Sequence, residues 1–363
     1  MIELKEICKV QCGFAFDSKK FTEDSSYYPL IRIRDVKRGF TQTYYTGEFS
    51  SEYIVHKGDL LVGMDGEFNI ARWNSDDALL NQRVCRIITN NNTNEEYLRF
   101  YLKRTLKLIE SKTSFVTVKH LSAKELNSLK LNLPCIEDQQ RISKQLSTLE
   151  LMIRKNKQVL ELLDELVKAR FVEMFGDVQD AKKRGGKQLK NICNTVTGGT
   201  PSTKHVEYYN GTIPWISTVS LGPNYIDGTT AKAFITQEAV DSSSTKIIPS
   251  GSILFGTRVG VGKSSINQVE MCTNQDIVAI IDLDVSKYNK LYIKYVLDTY
   301  QPYFDSIKKG ATILGISSDD LKNIYVPDAS LYEQNRFEKF VKQIDKSRLL
   351  NNHLLFLLKS ITF

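Results

Sequence analysis

Apolar residues step by four and three through Ile142, Leu146, Leu149, Ile153, Leu160, Leu163 and Val167. This is the seam along which two α-helices pair, so the spacing predicts a long helix over 135–180. A second seam of the same phase, Phe337, Val341, Ile344, Leu355 and Leu358, predicts another over 329–363. Asn156 and Asn351 interrupt the two seams at equivalent places, and Arg348 stands where the first helix has Ile153. A buried Asn is unfavourable in energy but fixes register, so the shared Asn predicts that the helices pair with each other. The expected pairing positions are Ile142, Leu149, Asn156 and Leu163 on one helix and Ile344, Asn351 and Leu358 on the other. The alternative is two amphipathic helices lying on separate domains.

Outside these helices the pattern shortens to apolar runs broken by glycine turns, such as Tyr28-Pro29-Leu30-Ile31 and Ile213-Pro214-Trp215-Ile216, which predict strands. Helical stretches begin at Glu95 and Lys290. The runs occur twice. Gly58-Asp59-Leu60-Leu61-Val62-Gly63 returns as Gly251-Ser252-Ile253-Leu254-Phe255-Gly256, Asn81-Gln82 as Asn274-Gln275 and Pro134 as Pro327, at a constant offset of 193. That period is too long for a solenoid unit and implies two copies of one domain. The expected architecture is mixed α/β (α+β): globular domains over 1–134 and 181–328, separated by two long helices that form an antiparallel coiled coil with pseudo-two-fold symmetry. At roughly 1.5 Å per residue such helices would hold the globules on the order of 50 Å apart.

A length of 363 residues suits two domains. There is no run of eighteen apolar residues and no signal peptide at Met1-Ile2-Glu3-Leu4, so a soluble cytoplasmic protein without membrane contact is expected. The six cysteines form no Cys-x-x-Cys pair and the four histidines are scattered, which argues against a zinc framework. The net charge of +7, mostly carried after residue 180, permits nucleic acid without requiring it.

Gly260-Val261-Gly262-Lys263-Ser264 invites a phosphate-loop reading, but the first glycine of that motif falls on Thr257. A glycine turn whose Arg258 and Lys263 approach a DNA backbone is the better reading. No cofactor loop or Asn-Pro-Pro-aromatic motif marks a methyltransferase, and no catalytic constellation is duplicated, so no catalysis is expected of this chain.

Two readers at the ends of a spacer is how DNA-binding dimers meet two half-sites. In order, Gly198-Gly199-Thr200-Pro201-Ser202, Tyr208-Tyr209-Asn210-Gly211-Thr212-Ile213-Pro214-Trp215-Ile216, Ile248-Pro249-Ser250-Gly251, Gly260-Val261-Gly262-Lys263 and Glu333-Gln334-Asn335-Arg336 resemble the DNA specificity subunits of type I restriction-modification systems. The first half carries an alternative opening, Gly13-Phe14-Ala15-Phe16-Asp17-Ser18. The resemblance implies two target recognition domains that each read half of a bipartite, asymmetric double-stranded DNA site. It further implies helices that set the unread gap and dock two adenine-N6 methyltransferase subunits. S-adenosylmethionine would sit on that partner, with no cofactor or metal on this chain, and restriction would add a motor-nuclease subunit. The candidate DNA contacts are Arg32, Arg34, Lys37, Arg38, Arg72 and Lys119 in the first domain. In the second they are Ser202, Lys204, Ser217, Arg258, Lys263, Lys308 and Lys309. Rival readings are a two-headed protein-binding scaffold without DNA affinity and a self-sufficient modification enzyme.

Overall fold

The structure is a computed structural model that describes residues 1–112, 121–310 and 312–362. The chain divides into two compact units, Met1–Lys157 with Leu354–Phe363, and Gln158–His353.

In the first unit Ile2–Glu3 pairs antiparallel with Lys130–Leu131 and closes the globule. One sheet has the order Cys8–Cys12, Val84–Thr89, Leu60–Gly63, Asn69–Arg72. A second has the order Phe21–Thr22, Tyr44–Tyr45, Tyr28–Ile31, Ala78–Leu80, Ile54–Val55, with Tyr28–Ile31 and Ala78–Leu80 parallel. The strand Leu60–Gly63 is apolar throughout because both its faces are buried. The two-residue alternation of a strand sends Leu60 and Val62 into a core with Leu98, Leu102 and Leu106 of the flanking helix Glu95–Lys112, and Leu61 into another with Ile31, Val36 and Trp73.

The second unit repeats the plan. Lys187–Gln188 pairs with Tyr325–Val326, and the strand Ile253–Gly256 sends Ile253 and Phe255 to one core and Leu254 to another. Its second sheet again joins a parallel pair, Ile213–Ile216 with Met271–Thr273, to the antiparallel strand Ile247–Ile248. Gly198 fits because a Cβ there would strike Thr273 and the backbone of Asn274, and Gly13 faces the backbone of Asn81 in the same way. The divergent openings therefore meet one steric demand.

A glutamine marks the start of each long helix. Gln139 accepts from the Asn94 N–H at 2.9 Å and donates to the carbonyls of Pro134 at 2.9 Å and Asn92 at 3.4 Å. Gln334 accepts from the Asn289 N–H at 2.7 Å and donates to those of Ala329 at 2.9 Å and Lys287 at 3.0 Å. Both glutamines are buried. Here the repeat offset, from 139 to 334 and from 94 to 289, is 195, so the second copy is two residues longer both between Asn81 and Asn94 and between Pro134 and Gln139.

The long helices are Ile136–Phe175 and Leu331–Thr362. Within the second unit they run antiparallel: Val167, Phe171 and Phe175 share a core with Phe337, Val341 and Ile344, and Leu163 packs against it. The rings of Phe171 and Phe337 lie 5.4 Å apart. Arg348, the polar break in the second seam, pairs with Asp164 across the helices at 2.6 Å and with Asp345 at 2.7 Å. Asn351 donates to the Ser347 carbonyl of its own helix at 2.8 Å, so Arg348 supplies the polar cross-helix contact in this unit. In the first unit Asn156 is buried with Oδ1 unpartnered, Ile142 and Leu149 are half-buried, and Leu358 is buried.

Candidate nucleic-acid interface

The first unit concentrates four of its six candidates on one short helix. Arg32 precedes Ile33–Arg38, which carries Arg34, Lys37 and Arg38, and all four side chains are exposed. Asp35, buried at the centre, accepts from the Arg32 N–H at 2.9 Å and organises the turn, while Arg34 and Arg38 stand 3.8 and 4.0 Å from it. Lys37 pairs with Glu67 at 2.8 Å. Arg32 and Arg34 border an open basin of about 590 Å³ with Gln42, Thr43 and Tyr44. Cations around an amide and hydroxyl groups form a surface that can neutralise phosphates and reach a base edge.

Arg72 is not part of this cluster. It binds Glu95 and Glu96, each at 2.5 Å, and donates to the Gly58 carbonyl at 2.7 Å, tying its strand to the flanking helix. Burial alone would raise the Glu96 carboxyl, but hydrogen bonds from Arg72 and Arg99 outweigh it and hold that carboxyl below its usual range. Arg72 is thus a structural ion-pair partner, because strand Asn69–Arg72 packs beside Glu95–Lys112. Lys119 lies outside the described residues.

The second unit spreads its candidates over three loops. Arg258 is exposed, 3.8 Å from Asp276, and Gly315 packs against it. Lys309 and Gly315 exchange backbone hydrogen bonds of 2.9 Å, which brings Lys309 to the same end as Arg258. Lys308 is turned toward Asp305 at 2.5 Å. Lys263 is exposed on the glycine turn, which Gln301 holds through the Val261 carbonyl at 3.0 Å. Ser202 and Lys204 are exposed in the loop after Gly198-Gly199. Ser217 is buried and its hydroxyl has no hydrogen-bond partner, so it is not a surface contact in this conformation. Tyr209, half-buried, donates to the Pro201 carbonyl at 2.7 Å and acts as packing.

Sequence reasoning passed over two features. Cys12 and Cys85 face each other on paired strands with sulfurs 2.7 Å apart, and the hydrogen bond between them holds the Cys12 thiol below its usual range against the opposing effect of burial. A cluster of cations, Arg99, Lys103, Arg104, Arg154 and Lys157, also lines one groove of the first unit. Its signal in the sequence was the absence of most of those charges 195 positions later. Among the described residues no group of His, Cys, Asp and Glu could hold a metal ion, and no helix is long and apolar enough to cross a membrane.

Two copies of one mixed sheet-and-helix domain, each continued by a long helix, define the class. The family model for the type I restriction modification DNA specificity domain matches residues 1–165 and again 185–359, and the chain belongs to that family. The chain is 26% identical over 325 residues to the EcoR124I/EcoR124II specificity subunit of Escherichia coli, covering 85% of this chain and 78% of that one. It is 41% identical over 168 residues to the EcoBI specificity subunit of Escherichia coli, covering 46% of this chain but only 35% of the relative. Over 162 residues it is 34% identical to the MjaIX subunit of Methanocaldococcus jannaschii, spanning 37% of that relative. In fold it resembles the S subunit from M. genitalium, with a TM-score of 0.54 at 14% identity over 99% of this chain and 93% of that one. A chain described under complex assembly of the type I R-M system gives a TM-score of 0.62 at 17% identity over 99% and 94%.

Proposed function

We propose that each unit reads one half of a bipartite, asymmetric DNA site and that the long helices set the length of the unread gap. The same helices dock two copies of an adenine-N6 methyltransferase subunit, which binds S-adenosylmethionine and flips the target base out of the duplex. This chain supplies specificity, not catalysis, and binds no cofactor or metal. A motor-nuclease subunit would join the assembly for restriction, and the complex would work in the cytoplasm.

The observation that carries the DNA half of the reading is the Arg32–Arg38 cluster around buried Asp35, on a domain present twice. The docking half is supported by apolar side chains left in solvent on the C-terminal helix: Leu349 and Leu350 are each 71% exposed and Phe356 69%. Exposed apolar surface of this kind marks protein interaction sites. Co-purification with the methyltransferase followed by methylation mapping tests the proposal. Methylation of a split motif is expected; a complex that methylates no such motif refutes it. The scaffold alternative predicts no DNA affinity that falls steeply with salt.

A further inference from the structure

Each unit has a groove where its flanking helix meets a long helix, and the two grooves carry opposite charge. In the first unit the groove encloses about 750 Å³ and is lined by six cations, including Arg104, Arg154, Lys157 and Lys359, against one carboxylate, Glu150. Glu150 is already engaged by Arg99 at 2.7 Å and Lys103 at 2.6 Å. Arg104, Arg154 and Lys157 are exposed and make no ion pair among the described residues. The repeat-equivalent groove of the second unit, about 950 Å³, holds Asp298 where the first has Lys103, Leu349 for Arg154, Asn352 for Lys157 and Asp164 for Lys359. Four carboxylates there face three cations.

Tyr97, Phe100, Leu146 and Ile153 line the basic groove between the cations. A phosphate track needs no apolar floor, whereas an amphipathic protein segment needs apolar anchors and a rim of opposite charge. Resting on the docking reading above, we propose that this groove binds an acidic amphipathic segment of the methyltransferase partner. Its counterpart in the second unit does not, so the two partner copies are held with unequal salt sensitivity.

The test assembles the full chain with its methyltransferase subunit and follows stoichiometry by mass photometry between about 0.1 M and about 1 M salt, where the screening length falls from about 10 Å to about 3 Å. Wild type should lose one copy before the other. The triple variant Arg104→Glu, Arg154→Glu, Lys157→Glu should lose one copy already at low salt, its affinity falling roughly tenfold or more, and keep the second. The milder Arg104→Gln, Arg154→Gln, Lys157→Gln triple should shift in the same direction, with an unchanged thermal melt. If the charge-reversed variant keeps both copies with wild-type salt dependence, or loses DNA affinity with both copies retained, the groove assignment is overturned while docking stands. If wild type binds no methyltransferase at either salt, the docking reading itself fails and the groove assignment with it.

Discussion

Replacing Gln334 by Leu tests the device that joins the second unit to its long helix. The side chain is fully buried and satisfies three backbone groups: the Asn289 N–H and the carbonyls of Ala329 and Lys287. Leu has nearly the same volume, so it excludes water while leaving all three groups without partners. At about 1–3 kcal/mol for each buried unsatisfied group, partly relieved by relaxation, the unit should lose roughly 3–5 kcal/mol. For a unit of roughly 200 residues that lowers the melting temperature by about 6–20 °C, read by differential scanning calorimetry. Gln139→Leu should act similarly on the first unit, and the double variant should show both losses because the two sites share no partners. Gln334→Glu adds a check with a definite sign. A carboxylate facing two carbonyls has a raised folded pKa, so its destabilisation should be complete above that value and ease as pH falls through it toward the ordinary carboxylate range. A Gln334→Leu protein that melts within about 2 °C of wild type would show that the clamp contributes little, since that corresponds to less than roughly 1 kcal/mol.

Alanine at Arg34 and Arg38 should flatten the slope of log affinity for duplex DNA against log salt by roughly one for each phosphate no longer neutralised, measured by fluorescence anisotropy. An unchanged slope removes this helix from the interface. Arg72→Ala should instead leave that slope unchanged and destabilise the first unit by about 1–3 kcal/mol, because it breaks partly exposed pairs to Glu95 and Glu96. Cys12 should be alkylated at a rate that rises through a pH below the usual thiol range: its lowered thiol is mostly thiolate above that point and protonated below it. Mass-spectrometric mapping of the labelled thiol decides this, and a midpoint near 9 refutes the Cys85 hydrogen bond as its cause. Adding one helical turn, four residues, to both long helices should lengthen the unread gap by about one or two base pairs in methylation maps, since a turn rises roughly 5.4 Å and base pairs stack about 3.4 Å apart. An unchanged gap rejects the helices as a ruler.

Periodicity and repetition were legible because both are local. The four-and-three steps from Ile142 to Val167 require only that one chain segment be helical, and the returning Gly-x-x-x-x-Gly runs require only comparison of the sequence with itself. The apolar run Leu60-Leu61-Val62 read as a strand, and the structure adds that it is buried on both faces, with a core on each side of it. What a charged side chain does is not local. Arg72 looked like Arg34 in the sequence, but the fold brings its strand beside Glu95 and Glu96, while Arg34 stays at an open basin. Ser217 looked like Ser202 until the packing of the second unit closed over it. Arg348 looked like a flaw in a leucine seam, and only the antiparallel approach of the two helices showed that Asp164, far away in the chain, completes it. The order of apolar and polar positions therefore determined the elements and their duplication, whereas ion pairing and exposure depend on which distant segments meet. Those meetings, made by tertiary packing, decided which cations face solvent and which hold the protein together.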